Sequence, residues 1–396
     1  MAQTPSSEAD AIIRKCVHCG FCLATCPTYQ LLGSELDSPR GRIQLISAAL
    51  EGKEVSAKTQ LHLDRCLTCR ACETTCPSGV QYGRLLDIGR EHVEASVGRP
   101  WPVNLLRRAL RVVLTTPAVL AVLVRIAHWL SPLLPEKLRR KVPVSRLAPP
   151  WPSASHHRKM LILDGCVQPV FDPAINSAAA RVLDRLGISL VAPAAAGCCG
   201  AIAFHMNAPD EARAHARRNI DAWWPLIESG AEAIVVTASG CGPMLRDYAH
   251  LLSGEATYAQ KAARVGALVK DISEVIARQP AALQRQPLEG RAPRRVAFHS
   301  PCTLQHGLRL DGVVERILTA RGFELTQVRD GHLCCGSAGT YSLTQPELSG
   351  QLLARKIATL EEGKPDLIAT ANIGCLMHLR SAARMPVVHW IELLSM

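Results

Sequence analysis

The sequence predicts a mixed α+β and α/β fold in two parts: an N-terminal helical module organised by cysteines, then a duplicated α/β domain. Two observations predict this organisation. Within residues 16–77, a run of four cysteines closed by a proline occurs twice. From residue 158 onward a second cysteine pattern also occurs twice, and in each copy apolar strand-like runs alternate with helical stretches. At 396 residues, the chain is long enough for two or three domains with their own cores.

The N-terminal module is defined by two cysteine runs that have the same spacing. Their members are Cys16, Cys19, Cys22 and Cys26, then Cys66, Cys69, Cys72 and Cys76. This spacing, followed by proline, is that of the bacterial ferredoxin run, whose thiolates hold [4Fe–4S] clusters. Two copies predict two clusters in a ferredoxin-like module. In such modules the fourth cysteine of each run binds the other cluster, so we expect one set of Cys16, Cys19, Cys22 and Cys76 and a second set of Cys66, Cys69, Cys72 and Cys26.

Zinc and disulfides are the alternatives for cysteines in this pattern. Pairs of the Cys-x-x-Cys type also build structural zinc sites, but three cysteines packed so closely with a fourth three residues on are rare around zinc. Disulfides are disfavoured because residues 1–10 are polar and acidic, without the apolar core of a secretory signal. Sixteen cysteines in such a chain predict metal binding in a reducing compartment.

The positive charge of the chain is concentrated in one segment. The formal net charge is +11, and between Arg99 and Lys141 nine Arg or Lys residues stand against a single acid, Glu136. Aromatic residues make up only 4% of the chain, which disfavours a stacking surface for single-stranded nucleic acid. Because the rest of the chain is close to neutral, we expect no nucleic-acid partner.

The basic segment, residues 101–141, also contains an apolar stretch that Pro117 interrupts. Its uninterrupted apolar length is well short of the roughly 20 residues that a membrane-spanning helix needs. The segment fits an amphipathic helix lying on a membrane surface, and equally a basic linker packed on a partner subunit. The residues behind this expectation are Arg107, Arg108, Arg111, Trp101 and Trp129. Residues 143–152, with four prolines, predict a linker into the next domain.

The second part of the chain is an internal duplication. Its cysteines are Cys166, Cys198, Cys199 and Cys241 in the first half and Cys302, Cys334, Cys335 and Cys375 in the second. Corresponding cysteines are 134 to 136 residues apart, which indicates two copies of one unit. Each cysteine follows an apolar strand or opens a helix, so we expect all eight at the carboxyl edge of parallel sheets. Buried thiolates gathered there would repel one another unless a metal cluster compensated their charge.

Periodicity places the cysteines on helices and strands. In the N-terminal module, helices are predicted at residues 9–15, 43–50 and 82–97. In the duplicated part, strands are predicted at 160–163, 233–238, 296–298 and 366–370, and helices at 174–186, 209–227 and 345–360. The expected division of the chain is a ferredoxin-type domain at 1–98, a basic linker at 99–152, and two halves at 153–292 and 293–396.

The two halves resemble the cysteine-rich CCG domain, found in heterodisulfide reductase, anaerobic glycerol-3-phosphate dehydrogenase and glycolate oxidase. The order of two ferredoxin runs followed by two such halves resembles the last two families. The stretch GSELDSPRGRI, residues 33–43, is most similar to the glycolate oxidase iron–sulfur subunits. This resemblance implies a subunit that passes electrons from a flavin on partner subunits, which oxidise glycolate, to a quinone-type acceptor. It also implies peripheral attachment at the inner face of the cytoplasmic membrane, one or two further clusters in the halves, and no substrate-oxidising site on this chain.

One departure separates the chain from heterodisulfide reductase. There the last cysteine of each half belongs to a Cys-x-x-Cys pair, which completes five ligands for a non-cubane cluster; here Met244 and His378 take the second position. Four thiolates can still hold a [4Fe–4S] cluster, but disulfide-cleaving chemistry is disfavoured. Disulfide reduction, a redox-inert scaffold, and a subunit of glycerol-3-phosphate or lactate dehydrogenase are the alternative functions.

Several other residues lie near the cysteine landmarks. Arg40 and Arg42 fit either a solvated helix start or charges that neutralise the clusters or an acidic partner. The adjacent residues 223 and 224, both tryptophan, are expected in the core. No glycine-rich nucleotide motif and no flavin site are visible. Histidines that could bind metal or donate hydrogen bonds near the cysteines are His205, His299, His306 and His332.

Overall fold

The N-terminal module is a bundle of short helices around two cysteine loops. The computed structural model describes residues 5–133, 135, 147–279 and 295–395. The helices of the module are α1 Pro5–Ile13, α2 Pro27–Leu32, α3 Pro39–Leu50, α4 Ala57–Asp64, α5 Ala71–Thr75 and α6 Tyr82–Val97. A proline begins α2 and α3, at the position where no backbone N–H is needed. The small core between α3, α4 and α6 is built by Ile46, Leu63 and Leu85, all buried.

Two helices with exposed apolar faces follow the module. Helix α7 spans Trp101–Thr115 and α8 spans Pro117–Leu130, and their axes meet at 98°. The bend lies at Thr116, whose extended backbone precedes the proline that begins α8. In the described part of the chain, no helix alone has the length and hydropathy to cross a membrane; α7 and α8 reach them only as a bent pair. The basic residues expected at 137–141, and Glu136, lie outside the described residues.

The duplicated part contains two parallel four-stranded sheets, which confirms the predicted α/β repeat. The strands are β1 Arg158–Ile162, β2 Ile188–Val191, β3 Ile234–Val236 and β4 Val269–Asp271, then β5 Arg295–His299, β6 Glu324–Leu325, β7 Leu367–Thr370 and β8 Val387–His389. Their order is β2-β1-β3-β4 in the first sheet and β6-β5-β7-β8 in the second. The registers also correspond: Leu161 pairs with Ile234, and Ala297 pairs with Ile368. The boundary expected between residues 292 and 293 lies outside the described residues.

Helices cover both sheets. In the first half they are α9 Gln168–Phe171, α10 Ala174–Arg185, α11 Ala201–His205, α12 Pro209–Glu228, α13 Gly242–Arg246, α14 Tyr248–Leu251, α15 Ala259–Leu268 and α16 Ile272–Ala277. In the second half they are α17 Val313–Ala320, α18 Tyr341–Thr344, α19 Pro346–Glu361, α20 Ile373–Arg380 and α21 Trp390–Leu394, with a π-helical turn at Thr303–Gly307. Of the two tryptophans expected in the core, Trp223 is fully buried, whereas Trp224 lies partly exposed on α12.

The two halves share one apolar core. Residues of β1, α10 and α16 from the first half pack in the same buried cluster as residues of β5, β7 and α20 from the second. Polar bonds also cross between the halves: the Arg380 guanidinium donates to Asp172 at 2.8 Å, and Arg185 donates to the Leu394 carbonyl at 2.8 Å. The two cysteine groups of the duplicated part are therefore held in one rigid layer.

Candidate metal centres

The cysteine loops of the N-terminal module have the same backbone geometry in both runs. Residues two and four positions after the first cysteine are left-handed: His18 and Gly20 in the first run, Thr68 and Arg70 in the second, with φ values from 53° to 85°. Left-handed backbone is uncommon for residues other than glycine and costs roughly 1 kcal/mol. The same left-handed positions recur in both runs, so the two cysteine loops follow the same path.

The eight cysteines of the module surround two cavities. The first cavity is lined by the four cysteines of the first expected set together with Cys72. The second cavity is lined by the four cysteines of the second expected set. The fourth cysteine of each run thus faces the opposite cavity: Cys76 lines the first and Cys26 lines the second.

Burial makes bare thiolates unfavourable in these cavities. Desolvation raises the pKa of Cys22 to about 11 and raises the pKa of Cys69 and Cys72 well above the ordinary thiol range. None of the sixteen cysteines forms a disulfide. Four thiols that face one cavity, without disulfides, are a donor set that fits an iron–sulfur cluster, whose iron would supply the missing positive charge.

A buried arginine lies beside the second cavity. Burial disfavours the charged form of Arg42 and acts to lower its pKa. The negative groups nearby act in the opposite direction and have the larger effect, so the pKa of Arg42 is raised; they belong to Cys66, Tyr82, Cys26 and Asp37. Its guanidinium donates to the His62 carbonyl at 2.7 Å and to Thr28 Oγ1 at 3.2 Å. Of the two interpretations of the arginine pair, Arg42 therefore fits charge neutralisation near the cysteines. Arg40 lies at the surface and pairs with Glu35 at 2.8 Å.

In the duplicated part the cysteines of each half meet at the carboxyl edge of their sheet. In the first half Cys166 and Cys199 both adjoin Cys198, and their interaction lowers the pKa of Cys198 and raises the pKa of the other two; Cys241 acts on Cys199 in the same way. In the second half neighbouring thiols act on one another in the order Cys302, Cys334, Cys335 and Cys375, and the pKa of the first three is raised well above the ordinary thiol range. The structure thus brings together all four cysteines of each half, and each group offers a four-thiol donor set.

The glycine of each Cys-Cys-Gly motif is required by the local packing. Gly200 and Gly336 are left-handed, both with φ of 91°, and their amides donate to the sulfur of the cysteine two residues earlier at 3.4 Å. A Cβ atom on Gly336 would lie 2.7 Å from the Ser349 carbonyl oxygen of α19. No other residue fits there without moving the helix that covers the cysteines.

The second cavity of the module adjoins the cysteines of the second half. Besides burial, the charge of Cys302 raises the pKa of Cys69, and Cys69 in turn acts on Cys334. Leu67 and Tyr341 share a buried apolar cluster with Cys334 at this junction, and the Tyr341 hydroxyl donates to the Arg65 carbonyl at 3.1 Å. The structure describes no comparable approach between the cysteines of the module and those of the first half.

The two halves are linked directly between their cysteines. The amide of Gly240, next to Cys241, donates to the Asn372 side-chain oxygen at 3.2 Å. The amide nitrogen of the same side chain lies 3.6 Å from Cys375 Sγ, within hydrogen-bonding distance of sulfur. A short polar bridge therefore runs from the first group of cysteines to the second.

The four histidines singled out from the sequence have different surroundings. His205 is exposed, and its Nδ1 lies 3.8 Å from Asp87 Oδ1. The His306 ring contacts Thr74 Oγ1 at 2.9 Å and the carbonyl of His332 at 3.1 Å, so it joins the module to the second half. His299 is buried beside cysteines of the second half, and burial holds its pKa well below the usual range.

The basic segment turns several of its arginines toward the protein. Arg99 pairs with Asp64 at 2.7 Å, Arg107 donates to the Met206 carbonyl at 2.8 Å, and Arg111 pairs with Glu211 at 2.9 Å. The surface of α7 and α8 that faces away is apolar, with exposed residues Trp101, Val103, Leu105, Leu106, Val112, Val119, Val122, Leu123, Ile126 and Trp129. The two tryptophans are the most exposed of these, at 76% and 80%.

Family models match both parts of the chain. A 4Fe-4S dicluster domain covers residues 12–80, and a cysteine-rich domain covers residues 160–246 and 296–380. The chain is 56% identical to the glycolate oxidase iron-sulfur subunit of Escherichia coli (strain K12), over 98% of this chain and 95% of that protein. The chain belongs to the glycolate oxidase iron–sulfur subunit family.

Other members and relatives of the glycolate oxidase iron–sulfur subunit family are more distant. A probable glycolate oxidase iron-sulfur subunit of Bacillus subtilis (strain 168) is 30% identical over 92% of this chain and 88% of that protein. Lactate utilization protein A of Geobacillus thermodenitrificans is 26% identical over 60% of this chain and 98% of that protein. The family confirms the resemblance, the fold class and the presence of several iron–sulfur clusters.

Three residues near the cysteines were not singled out from the sequence. Lys356 is buried in α19, where its Nζ donates to the Asp330 carbonyl at 2.8 Å; burial lowers its pKa, and nearby cysteines act to raise it. The Tyr82 hydroxyl donates to Cys66 Sγ at 3.6 Å, and Asn372 lies beside Cys375. Only Lys356 had a detectable pattern, because it is a lysine four residues after Leu352 on an apolar helix face.

Proposed function

We propose that this chain is the iron–sulfur electron-transfer subunit of a glycolate-oxidising complex. Flavin-containing partner subunits oxidise glycolate, and this chain passes the electrons to a quinone-type acceptor. The proposal is supported by two relatives, a glycolate oxidase iron-sulfur subunit and a probable one, and by the four groups of cysteines. When bound, iron–sulfur clusters accept and release single electrons, which suits a relay between a two-electron flavin and an acceptor.

The observation that carries the proposal is that the four cysteine groups are contiguous. Cys72 lines both cavities of the module, Cys69 adjoins Cys302 and Cys334, and Asn372 bridges the two halves. The chain therefore holds a series of metal-binding groups from the surface of the module to the first half. A scaffold whose cysteines only stabilised each domain would not require the groups to adjoin one another.

The ligand sets follow from the same placement. We assign Cys16, Cys19, Cys22 and Cys76 to one cluster of the module and Cys66, Cys69, Cys72 and Cys26 to the other. In the duplicated part, one set is Cys166, Cys198, Cys199 and Cys241, and the other is Cys302, Cys334, Cys335 and Cys375. The remaining polar groups act on the sulfurs: Tyr82, Asn372 and the amides of the Cys-Cys-Gly motifs donate hydrogen bonds, and such bonds set cluster potentials.

Membrane attachment belongs to the same proposal. Helices α7 and α8 present an apolar surface with Trp101 and Trp129 at its ends, and tryptophans favour the membrane interface. No buried residue lies in α7, so this surface is not part of the described core. We place it against the inner face of the cytoplasmic membrane, close to a membrane-dissolved quinone.

The function is tested by replacing one cysteine of the second half in the assembled complex. With Cys335→Ser, glycolate should still reduce the partner flavin, while electron flow to a quinone analogue should fall at least a hundredfold. Flavin reduction in the same sample is the internal control for assembly and substrate binding. Quinone reduction at the wild-type rate would show that the second half is scaffold and that the electron route ends in the N-terminal module.

A further inference from the structure

A histidine without hydrogen-bond partners lies in the core of the second half. His299 is the last residue of β5 and is 2% exposed. Neither Nδ1 nor Nε2 of its ring has a hydrogen-bond partner in the structure. A buried polar group without a partner destabilises the folded state, and this ring has two such atoms. An imidazole in that position requires an explanation beyond packing.

The unpartnered ring faces the thiols of the second half. A nitrogen of His299 and the sulfurs of Cys335 and Cys375 all lie within 4.8 Å of one another. Among the described residues, this is the one group of three or more potential donors that includes a histidine. Neutral imidazole nitrogen and thiolate sulfur are both ligands for iron in proteins, and two histidines bind one iron of Rieske clusters.

The first half has no such donor. Leu163 stands three residues before Cys166, as His299 stands three residues before Cys302. The strand opposite also differs: His299 pairs with Thr370 of β7, whose hydroxyl is likewise buried and without a partner. The apolar Val236 takes the corresponding place in the first half. The polar group is thus confined to one of two otherwise matching sites.

His378, the residue at the position of the missing fifth cysteine, does not take this place. Its Nε2 contacts Ser349 Oγ at 3.2 Å, and it is not part of the donor group. The side chain nearest to a fifth ligand comes from the end of β5 rather than from α20.

We propose that His299 is a fifth metal ligand of the second half, where an imidazole nitrogen binds iron beside the four cysteines. The two halves then differ in their donors: four thiolates in the first, four thiolates and one imidazole in the second. The inference rests on the proposed function only in that the halves bind iron–sulfur clusters. The buried Lys356 lies beside the cysteines of the second half, and its positive charge favours the reduced cluster, so the second half has the higher reduction potential of the two.

The test detects the histidine nitrogen itself. The full chain is produced with ¹⁵N-labelled histidine, loaded anaerobically with iron and sulfide, and reduced stepwise while pulsed EPR records nitrogen hyperfine couplings. A ¹⁵N coupling of the size of direct iron ligation is expected in one paramagnetic cluster. In His299→Leu, which introduces the residue of the first half, this coupling should be lost and the midpoint potential of that cluster should shift.

Two further variants keep the result decisive. His299→Cys supplies a different donor, so the cluster should be retained, with no nitrogen coupling and a lower potential. His378→Gln is the matched control and should keep the coupling. Full iron loading without any direct ¹⁵N coupling, or a coupling that survives in His299→Leu, would refute the ligand assignment and leave the proposed function intact. A second half that binds no iron would overturn both.

Discussion

Arg42 and Lys356 are cations in parts of the molecule from which water is excluded. Each lies near cysteine sulfurs, Arg42 beside the second cavity of the module and Lys356 beside the second half. Burying a charge is costly unless an opposite charge compensates it. At Arg42 the buried Asp37 carboxylate, at 3.5 Å, supplies part of this negative charge. Sulfur-ligated clusters, which carry net negative charge, would supply the rest there and would also balance Lys356. At both positions, charge balance explains a side chain that apolar packing would not select.

At the same scale, the crossed cysteines predict an unusual pattern of iron loss. Cys76→Ala should lose one cluster of the module, about four irons. Adding Cys16→Ala should remove little more, because both residues line the first cavity. Adding Cys66→Ala instead should remove about eight irons in all, because Cys66 lines the second cavity. Iron and sulfide analysis of the anaerobically loaded full chain measures these losses.

The reciprocal variant supplies the control. Cys26→Ala combined with Cys66→Ala should behave as a single lesion, since both residues face the second cavity. If each run held its own cluster, Cys76 with Cys66 would instead be the mild combination and Cys76 with Cys16 the severe one.

Helices α7 and α8 form a two-sided element. On one side, Arg107 and Arg111 bond to the first half, at the Met206 carbonyl and at Glu211. On the other side, Trp101 and Trp129 are exposed. From the sequence, Arg107, Arg108 and Arg111 were grouped together, either on a membrane surface or in a basic linker packed on a partner subunit. The structure divides them, because the first and third are engaged within the chain and Arg108 forms no ion pair with any described residue.

The apolar side of this element should bind anionic membranes. Replacing Trp101 and Trp129 by Ser should weaken sedimentation with phosphatidylglycerol-containing vesicles more than tenfold, because both side chains lose interfacial contact. Arg108→Gln should weaken binding about fivefold, the effect of roughly 1 kcal/mol for one surface cation, and added salt should reduce that difference. Arg111→Gln is the matched control and should leave binding nearly unchanged. Equal binding by all variants would assign the apolar side to a partner subunit instead.

At the scale of the whole molecule, the junction of the two halves contains a buried histidine. The His389 ring contacts the Thr237 carbonyl at 3.0 Å and accepts from the Ile391 amide at 3.3 Å. Burial lowers the pKa of His389 to about 4, with Asp172 acting to raise it and Arg380 to lower it. The neutral ring is required, because a protonated ring cannot accept the Ile391 hydrogen bond.

Stability should therefore decrease with acidification. The folded-state pKa lies below the ordinary value of 6.5, so the unfolded chain takes up a proton first as the pH falls. This contribution is present above pH 6.5 and is lost as the pH falls toward 4, with about 2 kcal/mol lost between pH 7 and 5. Urea unfolding of the loaded chain measures the loss. His389→Gln should remove this part of the pH dependence, whereas the exposed His250→Gln should keep it. The same acid sensitivity in His389→Gln would assign the effect to other groups.

Short-range spacing determined how much of the molecule could be predicted. Strands β1, β3, β5 and β7 and the cysteines after them followed from apolar runs and the repeat. The outer strands were missed: β6 has only Glu324 and Leu325 and exists because β5 pairs with it. No local pattern marks a two-residue strand whose hydrogen bonds come from a neighbour.

Long-range contacts determined what could not be predicted. The approach of Cys69 to Cys334 joins residues more than 200 positions apart. Four histidines near cysteines could not be separated by sequence, because only the packing shows that His299 lacks partners while His306 has two. The direction of Arg107 likewise depends on the first half, which supplies the carbonyl of Met206.

Polar bonds fix the N-terminal module against both halves of the duplicated part, so the cysteine groups form a fixed electron path and not one that depends on a mobile domain. Arg84 donates two hydrogen bonds of 2.9 Å to Asp247 of the first half. Thr74 Oγ1 lies 2.9 Å from the His306 ring of the second half. The distances between the cysteine groups are therefore fixed, and no domain has to move during turnover. One end of this path reaches the surface at Cys19, which is exposed between Val17 and Phe21. These two apolar side chains are 67% and 61% exposed. A redox partner therefore needs to contact only the surface around Cys19 to exchange electrons with the cysteine groups in the interior.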